Sequence, residues 1–205
     1  VAGYGWCGSG VALRAAGMGA SVIVTEIDPF KALDATMNGF RVMTMADAAP
    51  LGDVFVSVTG CKDVITAEHY AVMKPDALLS NAGHFDCEVD VKWLNEHAVD
   101  KWEQREGITG YRLADGKVLN VLAEGRLVNL AGGNGHPAEI MDMSFSVQAL
   151  AAEWVAKHKG ELEKKLYQIP AEIDDQIGWA KLAALGLTID KLTPEQEEYI
   201  NSSNA

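Results

Sequence analysis

Gly3, Gly5 and Gly8 stand at the spacing G-x-G-x-x-G, and Glu26 follows eighteen residues after the last of them. These residue types suit the binding of a dinucleotide. The first glycine permits a tight turn, and the second lets backbone approach a pyrophosphate. The third allows a helix to pack closely on the preceding strand. The N-terminus of that helix offers free N–H groups and about half a positive charge to the phosphates. An acidic side chain at the end of the next strand can accept hydrogen bonds from both ribose hydroxyls and would repel a 2′-phosphate. NAD is therefore expected over NADP, with Glu26 at the adenosine ribose. Taken alone, the glycine spacing is also compatible with an ordinary glycine-rich turn; the flanking pattern argues for the nucleotide site.

Residues 11–18 read as the helix after the glycine loop, stopped by Gly17 and Gly19. Residues 20–26 (ASVIVTE) form a β-branched run that reads as a strand. Pro29 opens a helix that Asn38-Gly39 closes, and residues 40–43 give a short strand. Further strands are expected at 53–58 and 77–80, with a helix at 67–73 between them. Alternation at this pitch predicts an α/β fold, a Rossmann-type doubly wound parallel sheet. Another strand region is expected at 111–122, turned at Asp115-Gly116. Only Val1 and Ala2 precede Gly3, where a first strand of about five or six residues would be expected, so that strand reads as truncated and the chain as beginning inside a longer protein.

From His136 the pattern changes. Ile140, Met143, Val147, Leu150 and Trp154 recur at helical spacing and make one apolar face, read by default as core. Residues 157–165 are charged and read as solvated. A helix is expected at 171–185, stopped by Gly186, and Thr193-Pro194-Glu195-Gln196 opens a last one. The division expected is a nucleotide-binding domain at 1–135, a hinge and long helix at 136–160, and a helical segment at 161–205. These C-terminal helices are expected to pack on a substrate domain outside this sequence.

The chain of 205 residues carries 17 Lys+Arg against 29 Asp+Glu, a net charge of −12. That surface argues against nucleic acid and anionic lipid as partners, and no apolar run reaches membrane-spanning length. Cys7, Cys61 and Cys87 are scattered, without zinc spacing, so no metal is expected. Thiols used this way read as a reduced, cytoplasmic protein with cysteines as buried small residues.

Two histidines lie where ligands bind in such folds. His84 follows a strand in Asn81-Ala82-Gly83-His84-Phe85-Asp86, and His136 sits in Gly135-His136-Pro137 where the nucleotide domain ends. With these in view, the segments VAGYGWCGSG, VIVTEIDPFKAL, GFRVMTMADAA, VTGCKDVI, NAGHFDCEVDVKWL, LAEGRLVNLAGGNGHPAEIMDMSF and IDKLTPEQEEY resemble the adenosylhomocysteinase family along essentially the whole chain.

The resemblance implies reversible hydrolysis of S-adenosylhomocysteine to adenosine and homocysteine by a cytoplasmic enzyme of one-carbon metabolism. In that family NAD first oxidises the ribose 3′-hydroxyl, the C4′ proton becomes acidic, homocysteine leaves, water adds, and the ketone is reduced again. The resemblance further implies that Glu26 binds the NAD ribose and that Thr59 and Gly60 wall the cofactor. Asn81 and Gly83 would belong to the cofactor site, and Asn129 would hold the nicotinamide carboxamide. His84 would be the catalytic residue near the nicotinamide, and His136 would contact both purine and cofactor at the hinge. A homo-oligomer, dimer or tetramer, is implied.

Two departures stand out. Lys31 occupies the place of an Asn that touches the cofactor ribose in many eukaryotic members, and the chain ends in a polar Asn-Ser-Ser-Asn-Ala rather than a basic, tyrosine-containing tail. The family's substrate domain, with its acids, lysine and further histidines, precedes the glycine loop and is not in this sequence, so the chain alone is expected to be inactive. Two other readings stay open: a different NAD-dependent dehydrogenase, or a non-catalytic protein that binds only NAD or a partner subunit.

Overall fold

Residues 1–202 are described in a computed structural model; residues 203–205, and with them the last part of the polar tail, lie outside the described residues. The chain divides into two compact units, Val1–Gly135 and the residues from His136 onward.

In the first unit the elements run α1 (Trp6–Gly17), β1 (Ile23–Val24), α2 (Pro29–Met37), β2 (Arg41–Val42), α3 (Met45–Ala48), β3 (Val54–Ser57), α4 (Ala67–Val72) and β4 (Leu78–Asn81). Then follow α5 (Val91–His97), β5 (Asp100–Arg105), β6 (Ile108–Arg112), β7 (Val118–Leu122) and α6 (Val128–Ala131). β1 and β2 pair in parallel, and a second sheet has the order β3-β4-β7-β6-β5.

Ala2 joins the two sheets. It bridges Thr25 on one side and Ser57 on the other, both in parallel. Ala2 N–H donates to the Val56 carbonyl (2.9 Å) and Gly3 N–H to that of Thr25 (2.8 Å). A cavity of about 310 Å³ lies between the same two strands, lined by Val1, Val22, Ile23, Phe55 and Val56 among others. The chain steps from Ala2 to β1 on one side and later crosses to β3 on the other. Such a reversal of strand order opens a crevice at the carboxyl edge of an open α/β sheet, above the glycine loop.

The expected doubly wound sheet holds for the parallel strands from β2 to β7. Beyond β7 the sheet turns antiparallel through β6 and β5. The sequence pattern predicts neither α5 nor β5. The β5 burial pattern is exposed at every position but one, so its charged residues show no apolar alternation. α1 starts at Trp6, earlier than residue 11, because Gly5 already serves as its N-cap. Asp28 caps α2 by accepting from Phe30 and Lys31 N–H, with Pro29 at the first helical position.

The main core gathers Phe55, Ile65, Tyr70, Leu79, Leu119 and Val121 around β3, β4 and β7. A smaller core of Tyr4, Ala12, Val24, Ala35 and Phe40 sits beneath the glycine loop. Tyr4 lies between the first two glycines and meets Phe40 edge-on at 5.9 Å, which anchors the loop from within.

The second unit contains α7 (Ala138–Lys157), α8 (Ala171–Ala184) and α9 (Pro194–Asn201). α7 packs along α8, and Lys181 Nζ reaches Asp142 Oδ2 at 2.9 Å. The apolar face of α7 is not buried core within this unit: none of its residues is fully buried, Ile140 and Met143 are exposed, and Val147, Leu150 and Trp154 are half-buried. Thr193 and Gln196 form the capping box expected at the start of α9. Among the described residues no helix is long and apolar enough to cross a membrane.

Candidate cofactor site

The carboxyl ends of β1, β3, β4 and β7 and the turn at Gly3 share one edge of the first unit, because all of these strands run parallel. Gly3 has φ +98°, a region glycine enters without strain. A Cβ on Gly8 would collide with the Gly3 carbonyl oxygen, so the third glycine is required by the close approach of α1 to the turn. A Cβ on Gly5 would meet nothing within 4 Å, so that backbone faces open space. The Gly5 N-cap makes no side-chain hydrogen bond and the first turn of α1 carries no acidic residue, so no side chain of the helix itself occupies its positive end.

Glu26 follows β1 and is half-buried. Its Oε2 accepts from Tyr4 N–H at 2.6 Å, and its Oε1 accepts from Ile27 N–H at 2.7 Å and Asp28 N–H at 3.2 Å. Partial burial alone would raise its pKa. The three N–H donors and the nearby Lys31 charge outweigh that and hold it below the ordinary carboxylate value. The side chain is thus ionised at neutral pH and tied to the residue between the first two glycines. Lys31 is exposed near the start of α2, where its cation favours the charged form of Glu26.

Thr59 and Gly60 follow β3 and are exposed. A Cβ on Gly3 would come within 3.2 Å of Thr59 Cγ2, so Thr59 lies against the glycine loop. Both residues are held by Glu88, a carboxylate only 1% exposed. Sequence reasoning passed over Glu88. Its sole signal is an acid in the NAGHFDCEVDVKWL segment, and nothing in the spacing ties it to residues 59 and 60.

Asn81 ends β4 and is fully buried. Its Oδ1 accepts from Gly83 N–H (2.8 Å) and Ser57 Oγ (3.3 Å), while its Nδ2 donates to the carbonyls of Phe85 (2.7 Å) and Gly125 (2.9 Å). The side chain is therefore occupied in shaping the loop that presents His84. Gly83 is buried within that loop. His84 is exposed at its tip, its ring edge-on to Phe85 at 4.6 Å. Asn129 lies half-buried in α6, and its carbonyl accepts from Gly135 N–H at 2.7 Å. His136 is exposed and opens the second unit just ahead of α7. The three cysteines are all exposed, contrary to expectation. Cys7 sits in the outer first turn of α1, and Cys61 and Cys87 sit in loops beyond the strands, away from either core.

An unobstructed helix N-terminus, a close-packed glycine turn and an ionised carboxylate after the adjacent strand fit NAD. They define an NAD-binding domain of the Rossmann type. The family model described as S-adenosyl-L-homocysteine hydrolase, NAD binding domain, matches residues 1–135. The chain belongs to the S-adenosyl-L-homocysteine hydrolase family, and NAD is the cofactor of this domain. It is 59% identical over 202 residues to an adenosylhomocysteinase of Aquifex aeolicus, covering 98% of this chain and 48% of that protein. It is 57% identical over 202 residues to one of Gloeothece citriformis, covering 98% and 47%. An S-inosyl-L-homocysteine hydrolase of Methanopyrus kandleri is 52% identical over 203 residues, covering 98% and 48%. The chain thus spans about half the length of the curated relatives it matches.

Proposed function

We propose that this chain is the NAD-binding part of an enzyme that reversibly hydrolyses S-adenosylhomocysteine to adenosine and homocysteine. The observation that carries the reading is the Glu26 carboxylate, ionised and bonded to Tyr4 N–H inside the glycine loop, in a chain matched over 98% of its length by adenosylhomocysteinases. When bound, NAD supplies reversible removal of hydrogen from a sugar carbinol. The chain's own residues bind, orient and move protons. Glu26 accepts the adenosine ribose hydroxyls, and the N-terminus of α1 receives the pyrophosphate. Thr59 and Gly60 form one wall, with Asn81 and Gly83 shaping the loop opposite. Asn129 receives the nicotinamide carboxamide. His84, exposed on its loop, can take and return a proton near the leaving group, a task suited to imidazole at neutral pH. His136 touches purine and cofactor where the 1–135 domain passes into the 136–160 hinge, with 161–205 as the helical tail. The enzyme works in the cytoplasm on a small-molecule substrate and as a homo-oligomer.

The test is homocysteine release from S-adenosylhomocysteine by the full-length protein loaded with NAD, with thiol detection. Turnover that vanishes when NAD is stripped and returns on its addition is expected. Turnover independent of NAD would overturn the reading. The Methanopyrus relative gives weight to one second reading, an inosyl substrate. S-inosylhomocysteine in the same assay separates the two by kcat/KM.

A further inference from the structure

We propose that Glu88 is a positioning residue for NAD: its buried carboxylate locks the Thr59–Gly60 turn and thereby sets the cofactor wall against the glycine loop. The proposal rests on the reading of the cofactor site given above and assigns a role to a residue outside the expected contact set.

Three donors converge on this carboxylate. Its Oε2 accepts from Thr59 N–H at 2.9 Å and from Thr59 Oγ1 at 2.7 Å, and its Oε1 accepts from Gly60 N–H at 2.8 Å. Thr59 Oγ1 in turn accepts from Cys61 N–H at 3.0 Å, so the hydroxyl is fixed at both ends. No salt bridge among the described residues includes Glu88. A buried carboxylate without a cation persists only where hydrogen bonds replace its hydration, and here N–H and O–H donors do so. The backbone beneath is clamped as well. Val64 and Ile65 N–H both donate to the Glu88 carbonyl at 2.9 Å, and Asp63 N–H donates to that of Cys87 at 2.8 Å.

The same side chain reaches the His84 loop. A Cβ on Gly83 would collide with Glu88 Oε1, so glycine at 83 leaves room for the Glu88 carboxylate in the place its donors hold it. One carboxylate therefore meets the turn after β3 and the loop after β4, and through Thr59 Cγ2 its influence reaches Gly3. All its side-chain partners are donors, which makes the charge state matter. A Gln amide offers one acceptor oxygen and must turn its NH2 toward Thr59 or Gly60.

The test uses full-length protein freed of cofactor, with NAD titrated by calorimetry into wild type, Glu88→Gln, Thr59→Val and the double variant. Amide exchange at residues 59–61 is followed in the absence of NAD. Loss of hydrogen bonds to a charged group predicts NAD binding weakened about tenfold or more in Glu88→Gln. Exchange at Thr59, Gly60 and Cys61 should accelerate in the same variant. The double variant should bind about as well as Glu88→Gln alone, because both substitutions break one linkage. Glu88→Gln binding within about twofold of wild type, or losses that multiply in the double variant, would overturn the proposal. Should Glu88→Gln not fold, Thr59→Val carries the decision: unchanged exchange at Gly60 and Cys61 overturns it. Wild type that binds no NAD would instead overturn the cofactor reading itself, and the proposal with it.

Discussion

Two carboxylates flank the glycine loop and do opposite things with similar bonds. Glu26 is half-buried, accepts from N–H groups that include those of the next two residues, and stays open to a ligand. Glu88 is buried and accepts from Thr59 and Gly60, 29 and 28 residues away in sequence. The first bonds to Tyr4 of the small core, and the second directly precedes Val89 of the large core around β3, β4 and β7. The contrast separates binding from scaffolding. A carboxylate that is to exchange partners with a ligand must keep water access, whereas one that fixes a wall must be sealed and fully bonded.

The largest effect is expected on the scaffold side. Asn81→Ala removes all four hydrogen bonds of a fully buried side chain and leaves donors and acceptors of two loops unpaired. A loss of about 2–4 kcal/mol in unfolding free energy is expected, measured by denaturant titration without cofactor. A change under about 0.5 kcal/mol would show that water replaces those bonds freely and that the division is false.

Gly8→Ala probes the binding side. The added methyl meets the Gly3 carbonyl, and relief of that overlap costs about 1–3 kcal/mol and up to about a hundredfold in NAD affinity. Calorimetric titration with NAD checks it. Normal affinity would mean that the α1 N-terminus does not contact the pyrophosphate.

Glu26→Gln sharpens the comparison further. NAD affinity should fall about tenfold while NADP affinity rises toward it, since the repulsion of a 2′-phosphate is gone. Equal preference already in wild type would show that Lys31 overrides Glu26. The variant also has a pH signature. The folded pKa of Glu26 lies below its ordinary 4.5, so its contribution to stability is fully present above 4.5 and is lost as pH falls through the lower folded value. The stability gap between wild type and Glu26→Gln should close only there.

The smallest effect is at His69, 8% exposed in α4, whose Nδ1 accepts from Thr66 N–H at 3.0 Å in a capping box. Burial lowers its pKa below 6.5 against the opposing charge of Glu68. Its contribution is therefore full above 6.5 and declines as pH falls through the folded value. His69→Gln keeps an acceptor oxygen and should flatten this slope in thermal melts taken from neutral to mildly acidic pH. A slope equal to wild type would place the titrating group elsewhere.

What the amino-acid sequence determined by itself is what short-range physics controls. The glycine spacing follows from steric contacts between residues 3 and 8. The Asp28-Pro29 start of α2 and the Thr193–Gln196 box of α9 each close within three residues. The apolar runs at β3 and β4 announce strands because each carries residues that must be buried against the core, Phe55 and Leu79 among them. Other features were decided only when distant segments met. β5 carries no apolar alternation and exists because β6 pairs with it. Asn81 is expected in the cofactor site by resemblance, but the enclosure of its amide by Ser57, Phe85 and Gly125 is something no local pattern brings together. The cysteines read as buried from composition, while the outer turn of α1 leaves Cys7 exposed and two loops leave Cys61 and Cys87 exposed. Glu88 is the sharpest case. A carboxylate in a polar-looking stretch reads as solvated until the fold removes its water and supplies Thr59 and Gly60 in its place, because desolvation and its compensation are properties of the assembled neighbourhood and not of the residue.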